Sequence, residues 1–315
     1  MRVLLAGSTG AIGRPLIGAL RAAGHHVTAL IRSPGSAESV RELGAAPLVA
    51  DVMQRSSLLR AVDGVMADAV IHEATALRGA APRLRADDPT NALRRAGTEH
   101  LLDASRVVGA RRFVTQSMTG GYGYRNHGMR PLVEDAGFGR PHGGYADSII
   151  AGCQSTERQV FEAHGIDGIA LRYGLFYGPR AFSDLFATMM RKRTPVIPFG
   201  GGGTNSWIHV DDAATATVAA LERGVDGQAY NIVDDVPIDW NSFADAVAVA
   251  HDTPRAVAIP RWLLRLSAPY LAALMVDTSM RVSNTKARHE LRWAPVFASV
   301  PDGLAVSGDR ADLRR

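Results

Sequence analysis

The stretch from Val3 to Gly13 constrains this chain more than any other. Val3-Leu4-Leu5-Ala6 is a short apolar run, and Gly7, Gly10 and Gly13 follow at a spacing of three. An apolar strand that turns sharply into a helix needs residues that tolerate positive φ and lack a Cβ. The helix that begins there aims its free N–H groups and positive dipole end above the turn, where a pyrophosphate fits. The residues Gly7, Ser8, Thr9, Gly10, Ala11, Ile12 and Gly13 are therefore the expected cradle of a nucleotide, although the spacing differs from the G-x-G-x-x-G form of that fingerprint.

Strand-like and helix-like segments alternate through the first half. A helix from Ala11 to about Ala23 is closed by Gly24, and His26–Ile31 reads as the second strand. Pro47–Ala50, Ala69–His72, Arg112–Thr115 and Ile166–Leu171 read as further strands. Helices are expected near Ala37–Leu43, Ser56–Val62, Thr90–Val108 and Ser148–His164, with a glycine-rich loop from Ser117 to Gly144. Short apolar strands joined by helices imply a parallel sheet covered on both faces, so the expected fold class is α/β, a Rossmann-type doubly wound sheet. After Arg172 prolines and the Gly200–Gly203 run break the pattern, while Gln228–Ile232 and Ala256–Ile259 read as short strands. Residues 1–172 are assigned to the dinucleotide-binding core, and 173–315 mainly to a smaller substrate-binding lobe with some segments returning to the core.

Composition removes several alternatives. The formal charge of +4 is carried by scattered arginines, and Arg191-Lys192-Arg193, the one tight basic cluster, reads as a solvated helix end, so no nucleic acid partner is expected. The single cysteine, Cys153, excludes an internal disulfide framework and fits a reducing compartment. No secretory signal or membrane span is read, and the cytoplasm is the expected location. His25-His26 has no ligand partner at useful spacing, so no metal site is expected. Asp211 reads as the cap of the helix that follows it.

In a doubly wound sheet the ligand lies beyond the carboxyl ends of the strands. The second strand ends at Ile31, followed by Arg32 and Ser33, and no acid occurs until Glu38. A guanidinium grips a 2′-phosphate that an acid would repel, so NADP(H) is favoured over NAD(H). Asp51 and Val52 stand where adenine would lie, and Glu73, Ala74, Thr75 and Ala76 stand near the diphosphate and ribose.

With these elements the chain resembles the extended or atypical short-chain dehydrogenase/reductase superfamily, the group that contains nucleotide-sugar epimerases and dehydratases. The resemblance runs through Gly7-x-x-Gly10-x-x-Gly13, Asn91 with Gly97-Thr98, and Arg112 to Ser117. It continues through Leu171 to Pro179, Trp207-Ile208-His209-Val210-Asp211-Asp212 and Ser283 to Pro295. It implies cofactor contacts from Asn91, Gln116, Tyr173, Gly174, Leu175 and Phe176. Members of the group often pair through two long helices, here about Thr90–Val108 and Ser148–His164, so a homodimer is the expected assembly.

The departures from that pattern narrow the chemistry. The family's proton chemistry needs a tyrosine with a lysine four residues later, whose charge stabilises tyrosinate. The only lysines here are Lys192 and Lys286, so no such pair exists in the first half. Counting back from Glu157 puts Ile149 and Cys153 at the two places, whereas anchoring on Tyr145 puts Ile149 at the lysine place. Nucleotide-sugar members commonly carry an arginine where Asn205-Ser206 stand, although Arg281 could offer a cation. Tyr122 and Tyr124, with Met129, Phe138 and Tyr145 beyond them, suit a hydrophobic or ring-shaped substrate. The expected protein is an NADP(H)-dependent reductase or epimerase of a small organic substrate, with Tyr145, Tyr122 or Tyr124 as acid and Ser117 assisting. A non-redox cyclase, isomerase or dehydratase, and an NADP(H)-sensing regulator, are the alternatives.

Overall fold

The computed structural model describes residues 1–76, 88–141, 143 and 146–312, with side chains through residue 306. Seven parallel strands form one sheet: β1 (Arg2–Ala6), β2 (His26–Ile31), β3 (Ala46–Val49), β4 (Ala69–His72), β5 (Arg112–Met118), β6 (Asp167–Tyr173) and the strand Gln228–Ile232. Their spatial order is Gln228–Ile232, β6, β5, β4, β1, β2, β3. The order reverses beside β1, which pairs with β2 on one side and β4 on the other. That reversal leaves a crevice at the carboxyl ends of β1 and β4, the usual place for a ligand in a doubly wound sheet.

The alternation within β1 explains its burial on both faces. Val3 and Leu5 pack with Leu16, Ile17 and Leu20 of helix α1 (Gly13–Ala22) and with the helix Val210–Arg223. Leu4 and Ala6 face the other way, toward Leu58, Leu101 and Val108. Period-two alternation sends successive side chains to opposite layers, and each large aliphatic group so buried contributes roughly 1.5–3 kcal/mol. A third cluster, outside the sheet, is built on Trp207, Trp240, Phe186 and Phe243, with Trp207 and Phe243 stacked at 4.0 Å between ring centroids.

Two elements differ from the sequence reading in ways that matter for the site. β5 extends to Met118, because Gln116, Ser117 and Met118 pair with Leu171, Arg172 and Tyr173 rather than opening a loop. The long helix expected from Thr90 to Val108 is a short helix, Pro89–Ala92, a wide π turn, Leu93–Gly97, and a regular helix, Thr98–Val108. The strand Gln228–Ile232 is a segment from the later part of the chain that joins the sheet, beside β6 at its edge. Among the described residues no helix is long and apolar enough to cross a membrane.

Candidate functional site

The glycine turn is tight for a steric reason. Gly7 has φ +95°, and a Cβ there would stand 2.6 Å from the amide nitrogen of Ala74. A Cβ at Gly13 would stand 2.7 Å from the carbonyl carbon of Ser8. The turn and the end of β4 are thus in backbone contact. Helix α1 starts with no side-chain cap and no acid in its first turn; the Arg14 amide is engaged by the Gly10 carbonyl and Pro15 has no N–H, so the Gly13 amide at its very start is the one left to face an anion. Ser8 is fully buried and donates to the Leu30 carbonyl at 3.1 Å, so its side chain fastens the turn to β2. Thr9 and Gly10 are exposed above it, with Ala11 partly so, while Ile12 packs inward.

The other expected contacts lie on the same edge of the sheet. Arg32 and Ser33 are exposed just past β2, and Arg32 has no hydrogen-bond or ionic partner among the described residues. Asp51 follows β3 and accepts from the Met53 amide at 2.9 Å, while the carbonyl of buried Val52 is bound to His100. Ala74, Thr75 and Ala76 leave β4, with Thr75 exposed and the Ala76 amide donating to Thr90 Oγ1 at 3.3 Å. Asn91 and Gln116 are buried, and each side-chain amide nitrogen has no acceptor. Beyond β6, Gly174 passes close to the Ser206 carbonyl, Leu175 pairs with Trp207, and Phe176 packs on Tyr173 at 5.3 Å. A glycine cradle without room for side chains, an uncapped helix start and unpartnered buried amides fit a dinucleotide.

Tyr173 points into the core, not toward solvent. Its hydroxyl lies 2.8 Å from Glu73 Oε1 and 2.7 Å from Thr217 Oγ1, and Thr217 donates to the Ala213 carbonyl. Thr217 has one proton, already given to Ala213. Tyr173 donates to Glu73 Oε1, so the phenol proton is engaged by the carboxyl. Burial pushes the Glu73 carboxyl up to about 8, against the opposing effect of the Tyr173 hydrogen bond. Burial also holds His72 neutral, down at about 4.

The expected acid–base residues fall into two groups. Ser117 donates to Glu157 Oε1 at 2.6 Å, and Glu157 holds Arg172 through bonds of 2.9 and 2.8 Å. Arg172 donates to Tyr122 at 3.0 Å, and Tyr122 donates to Asn231 Oδ1 at 2.7 Å. This buried network joins Ser117 and Tyr122, and burial raises the Tyr122 phenol above its ordinary range. Tyr124 is elsewhere, with its hydroxyl 3.4 Å from that of Tyr270. Its ring, with Phe138, Arg125 and Arg140, walls a cavity of about 520 Å³ over Ile150. Tyr145 lies outside the described residues. Ile149 and Cys153 are both buried on the helix Asp147–Phe161.

Three features escaped sequence reasoning. The Glu157–Arg172 pair looks in sequence like two ordinary surface charges. The helix after the short strand Trp207–His209 is capped by His209, whose ring accepts from the Asp211 amide, so Asp211 sits in the first turn instead of capping. Arg94 is buried beside Met118, whereas the adjacent Arg95 is exposed, and nothing in the dipeptide distinguishes them. Among the described residues no cluster of His, Cys, Asp or Glu could hold a metal ion.

A parallel sheet of this order with a glycine cradle at its switch point defines a doubly wound dinucleotide-binding protein. The chain belongs to the NAD-dependent epimerase/dehydratase family, whose model matches residues 3–233. A nicotinamide dinucleotide is that family's cofactor, and the fold is of the extended short-chain dehydrogenase/reductase type. The chain is 35% identical to a 3-diazoavenalumate denitrifying reductase from a Streptomyces species, over 96% of this chain and 99% of that one. It is 28% identical to 4-hydroxy-2-methyl-3-oxo-4-farnesyl-3,4-dihydroquinoline-1-oxide ketoreductase from Stigmatella aurantiaca, over 93% and 92% of the two chains. The crystal structure of UDP-glucose 4-epimerase from Thermotoga maritima superposes with a TM-score of 0.80 at 23% identity, covering 99% of this chain and all 100% of that one.

Proposed function

We propose that this protein is an NADP(H)-dependent reductase of a small, apolar, ring-bearing organic substrate, and that its reaction needs no enzymic proton donor of the tyrosine–lysine kind. The observation that carries this reading is the pairing of an intact nucleotide cradle with buried Ile149 and Cys153 at the acid–base places. The nicotinamide, when bound, supplies a hydride. Reduction of a carbonyl leaves an alkoxide that must be protonated. Replacement of a cationic aryl diazonium group by hydrogen does not: the new C–H bond forms as the C–N bond breaks, that bond's electron pair leaves with dinitrogen, and the hydride cancels the positive charge. The diazo compound named for the Streptomyces relative supports this class of substrate.

The chain's own residues have definite parts in this scheme. The turn Gly7–Gly13, with the Gly13 amide at the start of α1, would hold the diphosphate, with Asn91 and Gln116 offering amide donors deeper in the site. Arg32 would receive the 2′-phosphate, since Glu38, the first acid after β2, is engaged with Arg41 at 3.1 Å. Ser117 and Tyr122 would act as positioning residues that fix the end of β5 against β6 through Glu157 and Arg172. Tyr124 and Phe138 would shape an apolar wall.

A ketone reductase is the second reading, favoured by the ketoreductase relative and by the phenols Tyr124 and Tyr270 beside the site. The purified protein should consume NADPH with a stable aryl diazonium salt, release dinitrogen and place deuterium from deuterated NADPH on the ring carbon. The Tyr145→Phe variant should keep that activity. Turnover of ketones alone, lost in Tyr145→Phe or Tyr124→Phe, would replace the first reading by the second.

A further inference from the structure

We propose that Arg94 is an anion-receiving subsite that holds the carboxylate of an otherwise apolar substrate at the inner end of the site. This rests on the proposed reading only in placing substrate beside the end of β5. The Arg94 side chain is buried, with the residue 3% exposed. A guanidinium cannot escape burial by losing its proton, so it needs acceptors. Its acceptors here are poor: the Asn91 side-chain oxygen at 3.4 Å and the Met118 sulfur at 3.1 Å, while Nε has none. No carboxylate pairs with it among the described residues. Arg172, buried to a similar degree, shows what a structural arginine looks like here, with two bonds to Glu157 and others to Tyr122 and the Glu134 carbonyl.

The surroundings add donors, not acceptors. The Asn91 amide nitrogen next to Arg94 is buried without a partner. Arg94 Nε and the Asn91 amide nitrogen are thus two buried N–H groups, on neighbouring side chains, without an acceptor, which a bound carboxylate can supply. The site lies at the catalytic end, away from the glycine turn: Arg94 packs against Gly152, and its charge opposes the upward shift that burial gives the Cys153 thiol and the Tyr124 and Tyr270 phenols. The π turn Leu93–Gly97 presents Arg94 there, and such turns are frequent at functional positions. An uncompensated buried charge destabilises the empty protein, and a ligand anion relieves it.

Thermal unfolding of the full chain with saturating NADPH tests this, using trans-cinnamate and its neutral isostere cinnamamide as probes and requiring no turnover. Cinnamate should raise the melting temperature of the wild type in a concentration-dependent way, with apparent affinity roughly tenfold or more above that of cinnamamide. Arg94→Met should melt higher than the wild type without ligand and lose the cinnamate response, whereas a purely structural arginine would leave a variant that melts lower. Arg94→Lys should keep part of the response. Equal responses to the two probes, no response of the wild type to cinnamate, or a full response in Arg94→Met would overturn the proposal. So would weaker NADPH binding by Arg94→Met with the cinnamate response intact, since that assigns Arg94 to the nucleotide. Absence of hydride transfer, by contrast, bears on the proposed reaction and leaves this test unaffected.

Discussion

Replacing Glu73 by glutamine should make the protein's stability less dependent on pH. Glu73 is 6% exposed at the end of β4, with its backbone against the Gly7 turn. Burial lifts its carboxyl from an ordinary 4.5 to about 8. A group whose folded-state pKa is raised stabilises the fold fully below the unfolded value, and that contribution is lost as the pH climbs through the folded value. Between about pH 5 and about pH 9 the shift corresponds to roughly 4 kcal/mol of lost stability from this one side chain. Glutamine cannot ionise, and its side-chain oxygen can accept from the Tyr173 hydroxyl as the Glu73 carboxyl does. Denaturant unfolding of wild type and Glu73→Gln at a series of pH values gives the difference directly, because the other titrating groups cancel. Glu73→Gln should gain on the wild type steadily as the pH rises. A difference that stays flat across that range would refute the raised, neutral Glu73 carboxyl.

Arg32→Glu should weaken NADPH binding roughly tenfold or more, the value of a lost charge-assisted hydrogen bond, while NADH binding holds or improves. Fluorescence titration with both nucleotides measures this, and equal losses for the two would assign Arg32 no part in recognising the 2′-phosphate. Arg172→Met should cost about 3–5 kcal/mol because it leaves the Glu157 carboxylate buried without its cation. The double variant Glu157→Met/Arg172→Met should recover most of that loss in denaturant unfolding, and a double variant no better than the single one would show that the pair's packing, not its charge, is what the fold uses.

Much of the nucleotide half was legible in the residues. β2 and β4 have the bounds that the apolar runs indicate, because a strand buried on both faces needs an unbroken run and ends where polar residues begin. The glycine turn was legible because sterics act locally: positive φ and backbone contact exclude side chains whatever the rest of the chain does. The catalytic end was less so. Ser117 reads as a loop residue until β6 is seen beside it, and its partner Glu157 is remote in sequence.

The sequence by itself determined the parallel sheet, the cradle of Gly7, Gly10 and Gly13, and the absence of a tyrosine–lysine pair, since each depends on residue types at short spacing. Only the tertiary structure decided which charges are inside. Arg94 and Arg95 are equivalent as letters, yet one is buried among unpaired donors and the other is exposed. Glu73 and Glu157 are both buried acids, but Glu157 meets Arg172 whereas Glu73 meets a phenol. Burial and the identity of the facing group set the charge state of a side chain, and both come from elements brought together across long stretches of chain.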